Sequence, residues 1–245
     1  MSRMEKIEMK KAGKVAARIL AELRRIIKPG ITGVDINNFA ENFIKRYYPE
    51  FYLSSKGYNG FPASLCVSIN EGIIHGIPSK RIVKNGDLVK VDIVVDHQGW
   101  FADTATTYMV GRVNPEAKKL VKTTKMALRK AIKAAKPGNT IGDLGYIIQN
   151  CVEREGFSIM RRFCGHGIGR EMHMEPSIPN FGKRGEGQVL KEGIAIAIEP
   201  MAFMGRADVE IANDGWTVKS KDNSMTAHFE HTVLITKNSP LIITN

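Results

Sequence analysis

Four carboxylates and one imidazole carry the most specific chemistry in this 245-residue sequence. Asp92 sits in the run Val89-Lys90-Val91-Asp92-Ile93-Val94-Val95, and Asp103 follows eleven residues later in a second β-rich stretch, FADTATTYMV. A carboxylate inside such a run points into apolar surroundings, where an unpartnered charge is costly. A tight turn at His97-Gln98-Gly99 folds the two stretches into a hairpin and sets the aspartates facing each other. The second half of the chain repeats the situation. Glu199 ends Ile194-Ala195-Ile196-Ala197-Ile198, and Glu230 lies in Ala227-His228-Phe229-Glu230-His231-Thr232. Like charges at close range repel unless a cation stands between them. His166, in the glycine-rich Gly165-His166-Gly167-Ile168-Gly169, supplies a nitrogen ligand. Oxygen and imidazole ligands without a thiolate suit manganese, iron(II), cobalt or zinc rather than a closed structural zinc site. Four carboxylates exceed the charge of one divalent ion, so two ions are expected. Two ions ~3.5–4 Å apart can activate a shared water. Metal-assisted hydrolysis is the reaction class that follows. His97, His228 and His231 read as surface or satisfied core histidines, and Cys164 as a small buried hydrophobe.

The elements that must position these groups occur twice. KPGITGVDI at 28–36 matches KPGNTIGDL at 136–144, an offset of 108. KNGDLVKVD at 84–92 matches KEGIAIAIE at 191–199, an offset of 107, which makes Asp92 and Glu199 equivalent. HGIP at 75–78 and HGIG at 166–169 form a looser pair, as do the surroundings of Asp103 and Glu230. Each KPG follows an amphipathic helix. The first helix buries Ala12, Val15, Ala16, Ile19, Leu20, Leu23, Ile26 and Ile27; the second buries Leu120, Val121, Thr124, Leu128, Ala131, Ile132 and Ala135. Thr32 with Asp35, and Thr140 with Asp143, cap the next helix in each half. That helix carries Ile36, Phe39, Ala40, Phe43 and Ile44 in the first half, and Leu144, Ile147, Ile148, Cys151 and Val152 in the second. The expected fold class is α+β: a pseudo-two-fold repeat of helices packed on a curved antiparallel sheet, with the site where the halves meet. The chain reads as one domain, 1–245, with halves of about 1–113 and 114–245 joined at Asn114-Pro115, where Asn114 caps and Pro115 opens the third helix.

Composition fits a globular chain: 43% of residues are hydrophobic and 25% charged. No run approaches the ~20 apolar residues of a membrane span. Met1 to Lys28 is basic but contains Glu5, Glu8 and Glu22 and lacks an apolar block with a cleavage site, so it reads as a helix rather than a leader. Three cysteines without paired spacing point to a reducing compartment, and the cytoplasm is the expected location. The net charge is +11. Many of the cations lie on one helix face: Lys118, Lys119, Lys122, Lys125, Arg129, Lys130, Lys133 and Lys136. A solvated face is the simpler account, and a weak dock onto RNA the other.

Taken together, SINEGIIHGIP (68–78), VDIVVDHQGWFADTA (91–105), GHGIGREMHMEP (165–176), IAIEPM (196–201) and DGWTVKSKDNSMTAHFEHT (214–232) resemble the methionine aminopeptidases of type I, bacterial form, over nearly the whole chain. The resemblance implies the pita-bread fold and removal of the N-terminal methionine from nascent polypeptides by two divalent ions (Co, Mn, Fe or Zn), with preference for a small second residue. It implies that Asp103 and Glu230 bridge the ions, that Asp92 completes one shell, and that His166 and Glu199 complete the other. Glu199 is then also the proton acceptor for the attacking water. His173 contacts the scissile amide, and His75 assists beside the substrate. The methionine side chain enters a pocket at Tyr58, Phe61, Cys66, Met172 and Trp216. A monovalent cation is implied near Asn70, Gly72 and Thr226, and a monomer is the expected state. Met172 stands where an aromatic is usual and Phe61 where a tyrosine is common; Lys90 is unusual so near the site, and a cation there offsets part of the carboxylate charge.

Rival readings make different demands. A proline-directed dipeptidase of this fold carries a long N-terminal domain, whereas this chain begins with the catalytic repeat. Type II methionine enzymes need a large insertion between the last two glutamates, which here are 31 residues apart. Creatinase-like members lack the metal carboxylates. A nonenzymatic RNA- or ribosome-binding module would use the net charge and leave five ligands without a purpose. Ribosome contact fits better as an added property of an enzyme that meets nascent chains.

Overall fold

The computed structural model describes residues 1–245. Helix α1 (Arg3–Ile26) buries Ala12, Val15, Ala16, Ile19, Leu20 and Leu23, the stripe its spacing predicts, while Ile26 and Ile27 stay half-buried at its end. Helix α2 (Gly33–Tyr47) buries Ile36, Ala40 and Ile44. Helix α3 (Pro115–Ala134) starts as expected, with Asn114 Oδ1 accepting from the Ala117 amide at 2.7 Å, and keeps its lysines in solvent. Helix α4 (Ile141–Glu153) buries Leu144, Ile148, Cys151 and Val152. The two capping boxes agree closely. The Asp35 amide donates to Thr32 Oγ1 at 3.2 Å and the Asp143 amide to Thr140 Oγ1 at 3.2 Å, with return bonds from the threonine amides at 2.9 and 2.8 Å. Each capping threonine also bridges to a later strand residue, Thr32 to Ile82 and Thr140 to Val189.

The strands follow the same plan twice. In the first half Leu88–His97 lies between Trp100–Met109 and Cys66–Ile69, all antiparallel, with Tyr52–Leu53 extending the sheet. In the second half Ala195–Ile198 lies between His231–Leu234 and Gly165–Gly167, flanked by Leu241–Ile242 and Met174–Ile178. The fold is the α+β pita-bread arrangement. One part of the internal match is corrected here. The strand equivalent to the one holding His166 is Cys66–Ile69, whereas His75 follows Gly72–Ile74, which pairs instead with Val218–Ser220. The HGIP and HGIG segments therefore occupy different places. Two cores of similar size, 27 and 25 buried residues, fill the space under the two helix pairs, as a repeat requires.

Side chains and backbone sew the halves together along the strand that carries Asp103. The Glu230 amide donates to the Ala105 carbonyl at 2.9 Å, and Thr104 Oγ1 donates to the Glu230 carbonyl at 2.7 Å. Thr232 Oγ1 accepts from the Asp103 amide at 2.9 Å and donates to the Asp103 carbonyl at 2.8 Å. Thr107 Oγ1 does the same for residue 228, at 3.0 and 2.7 Å. All of these are buried, where an abandoned backbone polar group costs about 1–3 kcal/mol. Thr232→Val leaves both Asp103 backbone groups without their hydroxyl and is expected to cost about 1–3 kcal/mol in urea unfolding, while Thr232→Ser retains most of the stability. Equal midpoints for the two variants would contradict this account of the seam.

Candidate metal centre

The hairpin that presents the aspartates turns at Gln98 and Gly99, both with positive φ (52° and 74°), the turn geometry that matches strand twist. Register pairs Asp92 with Ala105 and Val94 with Asp103. The two carboxylates thus share one face of the sheet on a diagonal rather than directly opposite. Directly across from Asp92 on its other side is Cys66. In the second half His231 pairs with Ile198, and one step further along that register Glu230 faces Glu199. His166 is flanked by glycines because the backbone leaves no room: a β-carbon at Gly165 would strike the Ala197 carbonyl, and one at Gly167 the Glu175 carbonyl.

Five expected ligands converge. His166 Nε2 lies 3.8 Å from Asp103 Oδ2 and 3.9 Å from Glu199 Oε1, and its Nδ1 donates to the Gly167 carbonyl at 2.9 Å, which turns Nε2 toward the carboxylates. Asp103, His166 and Glu230 offer three atoms within 4.8 Å of one another. A second such set is Glu199, His228 and Glu230. His228 was not among the expected site residues. It is 1% exposed, with Nε2 3.5 Å from Glu199 Oε2, and neither ring nitrogen has a hydrogen-bond partner. The signal that could have found it is its place two residues before Glu230, the period that puts strand side chains on one face. His231 is satisfied as expected, 2.9 Å from Thr244 Oγ1, whereas His97 is buried with Nδ1 2.7 Å from Glu8 Oε2 but without a well-aligned hydrogen bond. Cys164 is only partly buried, unlike Cys66 and Cys151.

Burial sets the electrostatics. It pushes the Asp92 carboxyl up to about 6, with Glu199 adding to the rise, and Glu199 up to about 8. Asp103 and Glu230 also stand well above the usual carboxylate range, by burial first and then by neighbouring charge, that of Asp92 and Glu199 for Asp103 and that of Asp103, Glu199 and Asp92 for Glu230. Burial pushes His75, His166 and His228 down to about 4. Asp103 Oδ1 and Glu230 Oε1 are buried without a hydrogen-bond partner. Orphaned carboxylate oxygens beside imidazole nitrogens are what a divalent ion fits.

Beside the carboxylates lies a cavity of about 190 Å³. Its wall includes every residue expected of the substrate pocket, Tyr58, Phe61, Cys66, Met172 and Trp216, together with His75, His173, Asp92 and Asp103. Ser55, Asn59 and Val94 line it too and were not expected. Phe61 meets Trp216 edge-on, centroids 5.2 Å apart. The Tyr58 hydroxyl lies 2.8 Å from His173 Nδ1, leaving His173 Nε2 without a bond inside the protein. His75 adopts positive φ (55°), a strained backbone for a residue with a β-carbon, and its ring stands edge-on to Phe163. Lys90 is fully buried, and its ammonium donates to the Asn70 and Leu88 carbonyls at 2.8 and 3.4 Å rather than pairing with the site carboxylates. Thr226 Oγ1 donates to the Asn70 and Gly72 carbonyls at 2.8 and 2.9 Å, so these three residues do lie together.

Comparison with known proteins gives a consistent result. The model of metallopeptidase family M24 matches residues 7–237. The methionine aminopeptidase of Clostridium acetobutylicum is 44% identical over 239 residues, covering 96% of this chain and 94% of that protein. The crystal structure of a methionine aminopeptidase from Thermotoga maritima superposes with a TM-score of 0.98 at 43% identity, covering 100% of this chain and 98% of that one. That of Rickettsia prowazekii gives 0.97 at 40% identity, covering 100% and 98%.

The raised carboxyls make a prediction for protein stripped of divalent ions. Folded carboxyls at about 6 and about 8 keep protons that the unfolded chain has already released, so their stabilisation is full at low pH and is lost as pH rises through those values. The lowered histidines act in the opposite sense, but only between about 4 and 6.5. From pH 6.5 to 8 the stripped protein is therefore expected to lose stability, by up to ~1.4 kcal/mol per pH unit for each proton. Asp103→Asn is expected to raise its Tm at pH 8. Thermal unfolding in chelator checks both, and a flat pH profile with a lowered Tm for the variant would contradict them.

Proposed function

The chain belongs to metallopeptidase family M24, among the methionine aminopeptidases of bacterial type, and we propose that it removes the N-terminal methionine of nascent proteins and peptides using two divalent ions, with preference for a small second residue. The observation that carries this reading is the set of four buried, mutually repelling carboxylates, two of them with orphaned oxygens, beside a cavity sized for one side chain. Pockets for drug-sized ligands measure about 300–1,000 Å³, well above the ~190 Å³ here. Aromatic rings with Cys66 and Met172 make a polarisable wall suited to a thioether.

In this reading Asp92, Asp103, His166, Glu199 and Glu230 would hold the ions. Bound there, divalent ions supply Lewis acidity and lower the pKa of water. The chain's own residues do the rest. Glu199, a carboxyl that burial makes receptive to a proton, accepts one from the attacking water and passes it to the departing amine. His173 takes the tautomer that Tyr58 dictates: with the Tyr58 hydroxyl donating to Nδ1, the Nε2 hydrogen is available to the amide and to the oxygen of the tetrahedral intermediate. His75, held neutral by burial, donates to the same oxygen from the strained position after Gly72–Ile74. The small-second-residue preference is the expectation that the resemblance carries; the cavity itself takes the methionine side chain, with both histidines on the wall that carries Asp92 and Asp103.

The whole of 1–245 acts as one unit in this proposal, with halves of about 1–113 and 114–245 sharing the site, as a monomer in the cytoplasm. No helix is long and apolar enough to cross a membrane. A monovalent cation near Asn70, Gly72 and Thr226 would share the Asn70 carbonyl with the Lys90 ammonium. Ribosome contact is a further part of the proposal. A cleft of about 660 Å³ between α1 and α3 is edged by Arg24, Lys125, Arg129 and Lys133, and Thr104, Phe229 and His231, the neighbours of Asp103 and Glu230 in sequence, also line it.

Purified protein stripped by chelator and resupplied with cobalt or manganese is expected to release free methionine from Met-Gly-Met-Met and not from Met-Leu-Met-Met, and Asp103→Asn is expected to abolish release. Release without added metal, or from neither peptide with any metal, would sink the reading. Sedimentation with ribosomes is expected at low salt and lost at moderate salt; none at either would remove the ribosome from the proposal.

A further inference from the structure

Three of the other histidines have a ring nitrogen hydrogen-bonded within the protein: His166 on Gly167, His173 on Tyr58 and His231 on Thr244. His228 has none. It is 1% exposed, and both ring nitrogens lack a hydrogen-bond partner. Its backbone is clamped from the first half by Thr107 Oγ1, which accepts from its amide and donates to its carbonyl, and it pairs in register with Met201. The ring is thus fixed in place without satisfying its own polar atoms, an arrangement that costs about 1–3 kcal/mol per orphaned atom.

What the ring faces explains the arrangement. His228 Nε2 lies 3.5 Å from Glu199 Oε2 and 4.0 Å from Glu230 Oε2. His166 Nε2, on the other side of Glu199, is 3.9 Å from Glu199 Oε1. Glu199 therefore stands between two imidazoles, one carboxylate oxygen toward each. Ligand atoms about 2.0–2.2 Å from a divalent ion lie roughly 3–4 Å from one another. His228 meets that spacing as His166 does, and its three-atom set with Glu199 and Glu230, like the set of Asp103, His166 and Glu230, has all its atoms within 4.8 Å of one another.

We propose that His228 is a sixth protein ligand of the metal centre, binding through Nε2 the ion held by Glu199 and Glu230, so that the centre has two imidazoles rather than one. This rests on the reading of the site as a metal centre. A second imidazole moves the preference of the site away from manganese and toward cobalt, iron or zinc, since imidazole suits the later metals better than the all-oxygen ligands that manganese accepts.

The test loads the full-length protein with cobalt(II) and counts imidazoles by X-ray absorption at the cobalt edge, with ion affinities from titration calorimetry. Two imidazoles per loaded centre are expected in the unaltered protein and one in His228→Gln, whose weakest-bound cobalt is expected to lose at least about tenfold in affinity while manganese changes less. His166→Ala is expected to keep one imidazole, contributed by His228. A single imidazole in the unaltered protein, with His228→Gln unchanged in spectrum and affinity, overturns the proposal and leaves the metal centre standing. Failure of the unaltered protein to bind cobalt at all overturns both. The count on the unaltered protein decides the matter even where a variant does not fold.

Discussion

Repulsion among Asp92, Asp103, Glu199 and Glu230 is the constraint on which the rest of the molecule depends. Four carboxyls share one buried place, each pushed upward by burial, and three of them visibly by their neighbours' charge. A fold that gathers such groups without a cation works against its own stability, so the scaffold must hold them rigidly while protons or ions offset the charge. The seam hydroxyls do this. Thr104, Thr107 and Thr232 bond backbone atoms of the opposite half, at or beside Asp103, His228 and Glu230, and so fix the carboxylates through the main chain while leaving their oxygens free.

The repeat explains how so crowded a site can be assembled. Each half supplies a three-strand antiparallel unit with one carboxylate on the central strand and one on its neighbour. The capped helices above them have nearly identical geometry in the two halves. The halves differ where chemistry requires it. Where the first half has Cys66 on the outer strand, against the substrate cavity, the second has His166 between two glycines. The outer strand of each half thus contributes to the same region, Cys66 to the cavity wall and His166 to the carboxylate cluster, but from different register positions.

Ring orientation within the site depends on two local contacts. Gly167 fixes which nitrogen of His166 faces the carboxylates, and Tyr58 fixes which nitrogen of His173 faces the cavity. The Gly167 carbonyl can only accept, so it places the hydrogen of His166 on Nδ1, while the Tyr58 hydroxyl holds the His173 ring in place. Lys90 contributes differently from what its proximity in sequence suggests. Its ammonium is used by main-chain carbonyls at Asn70 and Leu88, tying the turn before Gly72 to the central strand.

The sequence alone determined the parts of this protein that are set by local pattern. Helical periodicity gave the buried stripes of α1 and α3, the Thr-x-x-Asp spacing gave both capping boxes, and the repeat with its carboxylate-bearing strands marked Asp92, Asp103, Glu199 and Glu230. Strand alternation fixes which face a side chain occupies, but not what lies across from it. The diagonal placement of Asp92 and Asp103 was settled by hairpin register, the different positions of His75 and His166 by strand pairing, and the aim of the Lys90 ammonium by its buried surroundings. His228 shows the limit most clearly. Its type and spacing were visible two residues before Glu230, but its burial and its approach to Glu199 depend on Thr107, 121 residues away, and on pairing with Met201. Contacts between such distant segments leave no periodic trace in the chain, so only the folded packing decides them.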